Sequence, residues 1–278
     1  MRTMRLPLVG AAVLALVVGA VAGVAGQAED AAAPTLACVQ PIEPGDYVDT
    51  YEGDSGSADY WVVVPGGYAE DAPVPLVMWL SWISDVELDH TDWKPHLADL
   101  GVLFVVVGET RAWDVEALLA LISRLEEDYC VDPEHIHVMG ASSSGYAVGE
   151  LACVGSERIA SFFGGMGRFA KPGCTPERPV PLIAITGDRD RSAARLSLRK
   201  WTAWNGCSAD PLVEDLGSGV SRHTYQDCDA DIVLFDIEGA SHGFIFNECI
   251  GPAPCEAYSE VDQFDEALAF FEQHPLPD

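Results

Sequence analysis

Over residues 59–278 the chain alternates between short apolar runs and stretches of helical spacing, and few architectures accommodate that alternation. Residues 60–64 are β-rich and stop at Pro65. Residues 76–80 form a short apolar run after Pro75. Residues 102–107 are unbroken Val, Leu and Phe, which suits a strand buried on both faces. Residues 135–139, 159–163, 182–185 and 232–237 read as further strands. Val115, Leu118, Leu119, Leu121, Ile122 and Leu125 recur at helical spacing. A helix is therefore expected over residues 114–128, with Asp114 as its N-cap. Residues 146–153, 193–204 and 261–271 read as the other helices. Strands alternating with helices imply an α/β fold: a mostly parallel sheet with helices on both faces. No repeat and no shift in composition divides residues 46–278, so a single domain is expected there.

The first residues have a different purpose. Arg2 and Arg5 precede an uncharged stretch over residues 6–25, and Val24 and Gly26 provide a small-residue exit. This pattern predicts a secretory signal peptide over residues 1–26. A retained anchor is the alternative, since about 20 apolar residues can span a bilayer. It fits less well because Gly10, Gly19 and Gly23 dilute the apolar stretch. Residues 27–45 then form a linker and N-terminal segment, Ala-rich and without periodicity over residues 27–37. The expectation is export to an extracellular or periplasmic space, with no membrane attachment after cleavage.

Export explains the cysteines. Cys38, Cys130, Cys153, Cys174, Cys207, Cys228, Cys249 and Cys255 make an even count, and an oxidising compartment favours pairing them. No C-x-x-C spacing occurs, so a zinc site has no support. Asp227, Asp229, Asp231 and Glu238 imitate a calcium loop, but Ile232 stands where that loop requires glycine. No metal and no cofactor are expected. With 15 basic against 44 acidic residues the chain carries −29 at pH 7, which repels nucleic acid and anionic lipid at long range. An apolar fraction of 49% is ample for a packed core and excludes a disordered chain.

The residues that carry chemistry begin with Gly140-Ala141-Ser142-Ser143-Ser144-Gly145, between an expected strand and an expected helix. That is the setting of a nucleophile elbow, a sharp strand-to-helix turn that lifts a serine hydroxyl out of the sheet. Small residues suit it because the turn is strained and the backbone passes close to its neighbours. The helix N-terminus offers free N–H groups to a developing oxyanion. Ser144 occupies the place of the second glycine in G-x-S-x-G, with Gly145 directly after it. On such a fold the acid and the base come after the serine in that order. Residues 182–185 run into Thr186-Gly187-Asp188-Arg189-Asp190, which offers Asp190 as the acid, with Asp188 as the alternative. Residues 232–237 run into Glu238-Gly239-Ala240-Ser241-His242-Gly243, where small neighbours expose His242 as the base.

These residues resemble the secreted feruloyl esterase and polyhydroxybutyrate depolymerase group of the α/β-hydrolases. The resemblance runs from about Ala58 to His242 and rests on "YWVVVPGGYAEDAPVPLVMWL", "DYCVDPEHIHVMGASSSG", "PLIAITGDRD", "WTAWNGC" ahead of a second cysteine, and "IEGASHG". It implies an α/β-hydrolase fold without metal and an ester substrate, small or polymeric. It implies Ser142 as nucleophile, Asp190 as acid and His242 as base. It also suggests a Cys207–Cys228 bridge, with Cys38–Cys130, Cys153–Cys174 and Cys249–Cys255 as the remaining pairs. One departure stands out. Where the family has His-Gly followed by small residues, this chain has Ser81-Trp82-Ile83-Ser84-Asp85. Ser143 N–H remains the first oxyanion donor, and the second falls to the backbone near Trp82. A missing donor costs about 10²–10³ in rate. The expected function is thus a secreted serine esterase acting on feruloyl or acetyl polysaccharide esters or on polyhydroxyalkanoate-type esters. The alternative is a weakly active or inactive hydrolase-fold binding protein. Trp79, Trp82 and Trp93 together offer either a stacking surface or ordinary packing.

Overall fold

A computed structural model of the chain describes residues 42–53, 56–68, 72–82, 100–109, 113–190, 193–242, 244–245, 248–249 and 263–277. The expected signal peptide, most of the linker, Cys38, Trp93 and Cys255 lie outside them. Ten strands form one sheet: β1 (Gly45–Gly53), β2 (Gly56–Val64), β3 (Val74–Leu80), β4 (Leu103–Val107), β5 (Val131–Ala141), β6 (Ser161–Gly165), β7 (Leu182–Gly187), β8 (Leu212–Gly217), β9 (Val220–Thr224) and β10 (Ile232–Ile237). Their order is β1-β2-β4-β3-β5-β6-β7-β10-β9-β8. The six central strands run parallel. An antiparallel hairpin flanks them on each side, β1–β2 and β8–β9. Two short strands, β11 (Phe244–Ile245) and β12 (Glu248–Cys249), pair with each other.

Alternation along each central strand sends side chains to opposite faces. Leu76, Met78 and Leu80 of β3 join Val105 of β4 and Val138 of β5 in one core cluster. Val77, Trp79, Phe104, Val106 and Met139 join a second. Three helices cover the first: α1 (Val115–Asp128), α2 (Ser143–Val154) and α3 (Ala194–Trp204). The fourth, α4 (Gln263–Glu272), covers the second with Phe264, Ala267, Phe270 and Phe271. Helices thus lie on both faces, as the alternation requires. Helix α1 starts as expected: the Asp114 carboxylate accepts the Ala117 N–H at 2.8 Å, and Val115, Leu118, Leu121, Ile122 and Leu125 face inward.

Strand β5 is longer than its apolar run. It spans 11 residues rather than residues 135–139, beginning before Asp132-Pro133-Glu134. Its register with β3 shifts between Val74 and Leu76, whose partners are Val131 and Ile136, so Pro133 falls where the ladder is broken and costs no bond. His137 of β5 is buried, with its Nδ1 2.8 Å from Ser161 Oγ and its ring stacked on Phe271. Two disulfides are described, Cys153–Cys174 and Cys207–Cys228, both as the resemblance suggested. Cys130 is disulfide-bonded as well. The other suggested pairs involve residues outside the described set. Among the described residues no helix is long and apolar enough to cross a membrane.

Candidate active site

Parallel strands end together, so the segments after β3, β5, β6, β7 and β10 gather on one edge of the sheet. Ser142 comes directly after β5 and is the N-cap of α2, with no loop between strand and helix. Its backbone is at φ 56°, ψ −118°, a conformation side-chain-bearing residues rarely take and one that costs roughly 1–3 kcal/mol. The surroundings hold it there. Ser142 N–H donates to Gly165 O at 2.9 Å. A Cβ on Gly140 would lie 2.8 Å from Val148 Cγ2 and 3.2 Å from Leu80 O. A Cβ on Gly167 would lie 2.3 Å from the Ser142 carbonyl oxygen. Glycine is therefore required before the serine and in the loop after β6. Gly145 is different: a Cβ there would meet only ordinary contacts, the nearest at 3.6 Å. Ser144, in the place of the usual second glycine, is buried without difficulty.

The loop after β6 wraps the same helix. Phe169 N–H donates to Ser197 Oγ at 3.0 Å, and Phe169 O accepts Trp201 Nε1–H at 2.7 Å, which fixes the loop to α3. Lys171 pairs with Glu150 of α2, and Cys174 is bonded to Cys153 at the end of α2. Gly167 was not singled out by its sequence context.

Asp190 and His242 arrive from β7 and β10, which pair in parallel with Gly187 level with Ile237. The loops after these two strands are laced together. Asp188 N–H donates to Ile237 O at 3.1 Å and Arg189 N–H to Ala240 O at 3.0 Å. Gly239 N–H donates to Asp188 Oδ1 at 2.7 Å, and Gly239 has φ 78°. Of the two acids weighed from sequence, Asp188 thus ties the loops together, and Asp190 faces the imidazole.

Ser142 Oγ lies 2.8 Å from His242 Nε2, and His242 Nδ1 lies 3.1 Å from Asp190 Oδ1. The Asp190 carboxylate is fully buried, while the His242 side chain is 47% exposed. A buried carboxylate needs a donor, and the imidazole supplies one while turning its other nitrogen to the serine. A hydroxyl, a base and an orienting carboxylate in one chain of hydrogen bonds can transfer a proton from the hydroxyl as it attacks an electrophile.

Ser143 is the first residue of α2, where backbone N–H groups lack helical acceptors. Ser81 N–H donates to Val107 O at 2.8 Å and is not free for a substrate. Trp82 is next. Continuing the β3–β5 register, in which Trp79 faces Met139, brings residue 82 level with Ser142. Its side chain is 39% exposed, whereas Trp79 is core. Of the three tryptophans weighed for stacking, Trp79 is packing and Trp82 is exposed two residues past the end of β3. Residues 83–85 lie outside the described set. A cavity of about 440 Å³ lined by Ile183, Val233, Phe270 and His274 sits toward the opposite edge, where β7 and β10 begin, and does not include the triad.

No family model and no curated protein matches the sequence. Solved structures do match in fold. An acetyl xylan esterase from Aspergillus awamori aligns with a TM-score of 0.59 at 12% identity, over 81% of this chain and 99% of its own. The S954A mutant of a feruloyl esterase module from Clostridium thermocellum, complexed with sinapinate, aligns with a TM-score of 0.52 at 13% identity, over 76% of this chain and 86% of its own. A puromycin-hydrolyzing peptidase from Mycobacterium tuberculosis gives 0.57 at 14% identity, over 83% of this chain and 39% of its own. Esterases and a peptidase alike share this framework, so the likeness speaks to architecture. The parallel centre of the sheet, the strand–serine–helix turn and these structural matches make the chain one of the α/β-hydrolase fold.

Proposed function

We propose that the chain is a secreted serine hydrolase of carboxylic esters, and the observation that carries this is the Ser142–His242–Asp190 chain of contacts at 2.8 and 3.1 Å. Ser142 Oγ attacks the ester carbonyl carbon as His242 Nε2 takes its proton. Asp190 holds the imidazole in the tautomer with hydrogen on Nδ1 and stabilises its positive charge. The tetrahedral oxyanion faces Ser143 N–H and Trp82 N–H. Collapse breaks the bond to the alcohol oxygen, which leaves with the proton from Nε2. Water then attacks the acyl-serine, giving its proton to His242, and the acid departs as the Ser142 hydroxyl is restored.

The substrate class is drawn from the sequence resemblance and from esterases among the structural matches. Feruloyl or acetyl esters of polysaccharides, or polyhydroxyalkanoate-type esters, are the candidates. Exposed Trp82 offers an aromatic face beside the serine for such groups. Hydrolysis of 4-nitrophenyl butyrate, abolished in Ser142→Ala, tests the proposal. A folded wild-type protein without turnover, or a fluorophosphonate adduct on another serine, overturns it; the former would favour a binding protein with an altered oxyanion loop.

A further inference from the structure

With 15 basic residues among 44 acidic ones, a cation on this chain has abundant partners. Most take one. Arg124, Arg158, Lys171, Arg195 and Arg222 each meet a carboxylate, and Arg178 donates to the carbonyls of Ile159 and Pro179. Arg168 and Arg189 are exposed and reach no acceptor among the described residues. Among the described residues Arg199 and Lys200 also meet no carboxylate, but they belong to α3, where Arg199 lies near Tyr225, just past the end of β9.

The two arginines have a common location. Arg168 comes after Gly167, which packs against the Ser142 carbonyl, and its own carbonyl oxygen lies 3.7 Å from a Cβ placed on Gly145. Arg189 precedes Asp190 and bonds through its N–H to Ala240, two residues before His242. They stand on the loops after β6 and β7. In the order β5-β6-β7-β10 those loops lie between the nucleophile's strand and the base's. The protein's overall field repels anions, yet two arginines without an acceptor among the described residues stand on loops at the edge of the sheet that holds the triad.

We infer that the ester substrate carries a carboxylate close to its scissile bond and that Arg168 and Arg189 receive it; this rests on the proposed hydrolase activity. A guanidinium presents paired N–H donors that match a carboxylate, which a neutral ester does not offer. Uronate-bearing or dicarboxylic esters have this chemistry. The two arginines act as specificity residues, outside the proton-transfer chain.

The test compares kcat/KM for two matched pairs. On the acyl side these are 4-nitrophenyl hydrogen glutarate and 4-nitrophenyl valerate; on the alcohol side, 3-acetoxybenzoate and phenyl acetate. The wild type should favour the charged member of one pair. Arg168→Gln or Arg189→Gln should lower that charged-to-neutral ratio about three-fold and the double variant about ten-fold, as expected for exposed ion pairs. Arg199→Gln should keep the wild-type ratio. Raising NaCl to about 0.5 M should shrink it toward that of the double variant. A ratio unmoved by the double substitution in both pairs, or equal losses on charged and neutral esters, overturns the inference while leaving the hydrolase reading intact. Failure of every ester, valerate included, overturns the hydrolase reading itself.

Discussion

The two halves of the candidate triad are built differently. Ser142 sits between a strand and a helix with nothing intervening, so its position is set by β5 and α2 together with the glycines at 140 and 167. Asp190 and His242 lie three and five residues beyond their strands, and their meeting depends on hydrogen bonds between two loops. One half is fixed by steric exclusion within a continuous unit. The other is assembled from segments 52 residues apart. A candidate nucleophile loses rate steeply with displacement, whereas a candidate acid–base pair needs its hydrogen bonds kept.

Substitutions in each half test this contrast. Ser142→Ala should lower kcat by roughly 10⁶ with the melting temperature nearly unchanged, because in the proposed mechanism the hydroxyl carries the covalent step. Asp190→Asn should lower kcat by roughly 10⁴, since the amide favours the wrong imidazole tautomer. Gly167→Ala probes the steric half: its Cβ must displace the Ser142 backbone, and a shift near 1 Å costs about 10² in rate. Asp188→Ala probes the hydrogen-bonded half. It removes one exposed bond to Gly239, worth about 1 kcal/mol, and should lower kcat about five-fold. Steady-state kinetics on a simple ester ranks the last two, and a larger loss in Asp188→Ala inverts the comparison.

The smallest effect on rate concerns stability alone. Burial, with help from His135 and His274, pushes the His137 imidazole down to about 3. The unfolded chain binds this proton near the usual 6.5, so between those values the unfolded state holds more protons. Stability contributed by neutral His137 is therefore intact above about 6.5 and is lost as pH falls toward 3, at up to about 1.4 kcal/mol per pH unit. His137→Gln should flatten the acid limb of a melting-temperature profile and leave neutral-pH kcat as it was.

The comparison also explains what could be read in advance. The elbow was legible because steric demand leaves a local signature, small residues between a β-rich run and a helical one. The candidate acid was legible only as a choice between Asp188 and Asp190. Both come after the same strand, and it is the backbone of the neighbouring loop, remote in sequence, that separates them. Gly167 left no readable trace, because the carbonyl it accommodates belongs to a residue 25 positions earlier. The central strands were found from their apolar runs. Strands β1, β8 and β9 were missed because they flank the sheet. All six residues of β8 are exposed or half-buried, so no apolar periodicity marks it. The turn Gly217-Ser218-Gly219, with all three residues at positive φ, was the available hairpin signal.

Helix α2 is held at both ends. At its front, Gly167 abuts the Ser142 carbonyl. At its rear, Cys153 is bonded across 21 positions to Cys174, on the same loop. The disulfide closes a covalent ring over residues 153–174, and the packing of Gly167 on Ser142 ties that ring to the front of the helix, so the helix cannot slide along its axis without straining one end or the other. The free amides of its first turn are thereby kept at a constant reach from the hydroxyl, and a reductant that opens the ring should loosen that spacing before it unfolds the sheet.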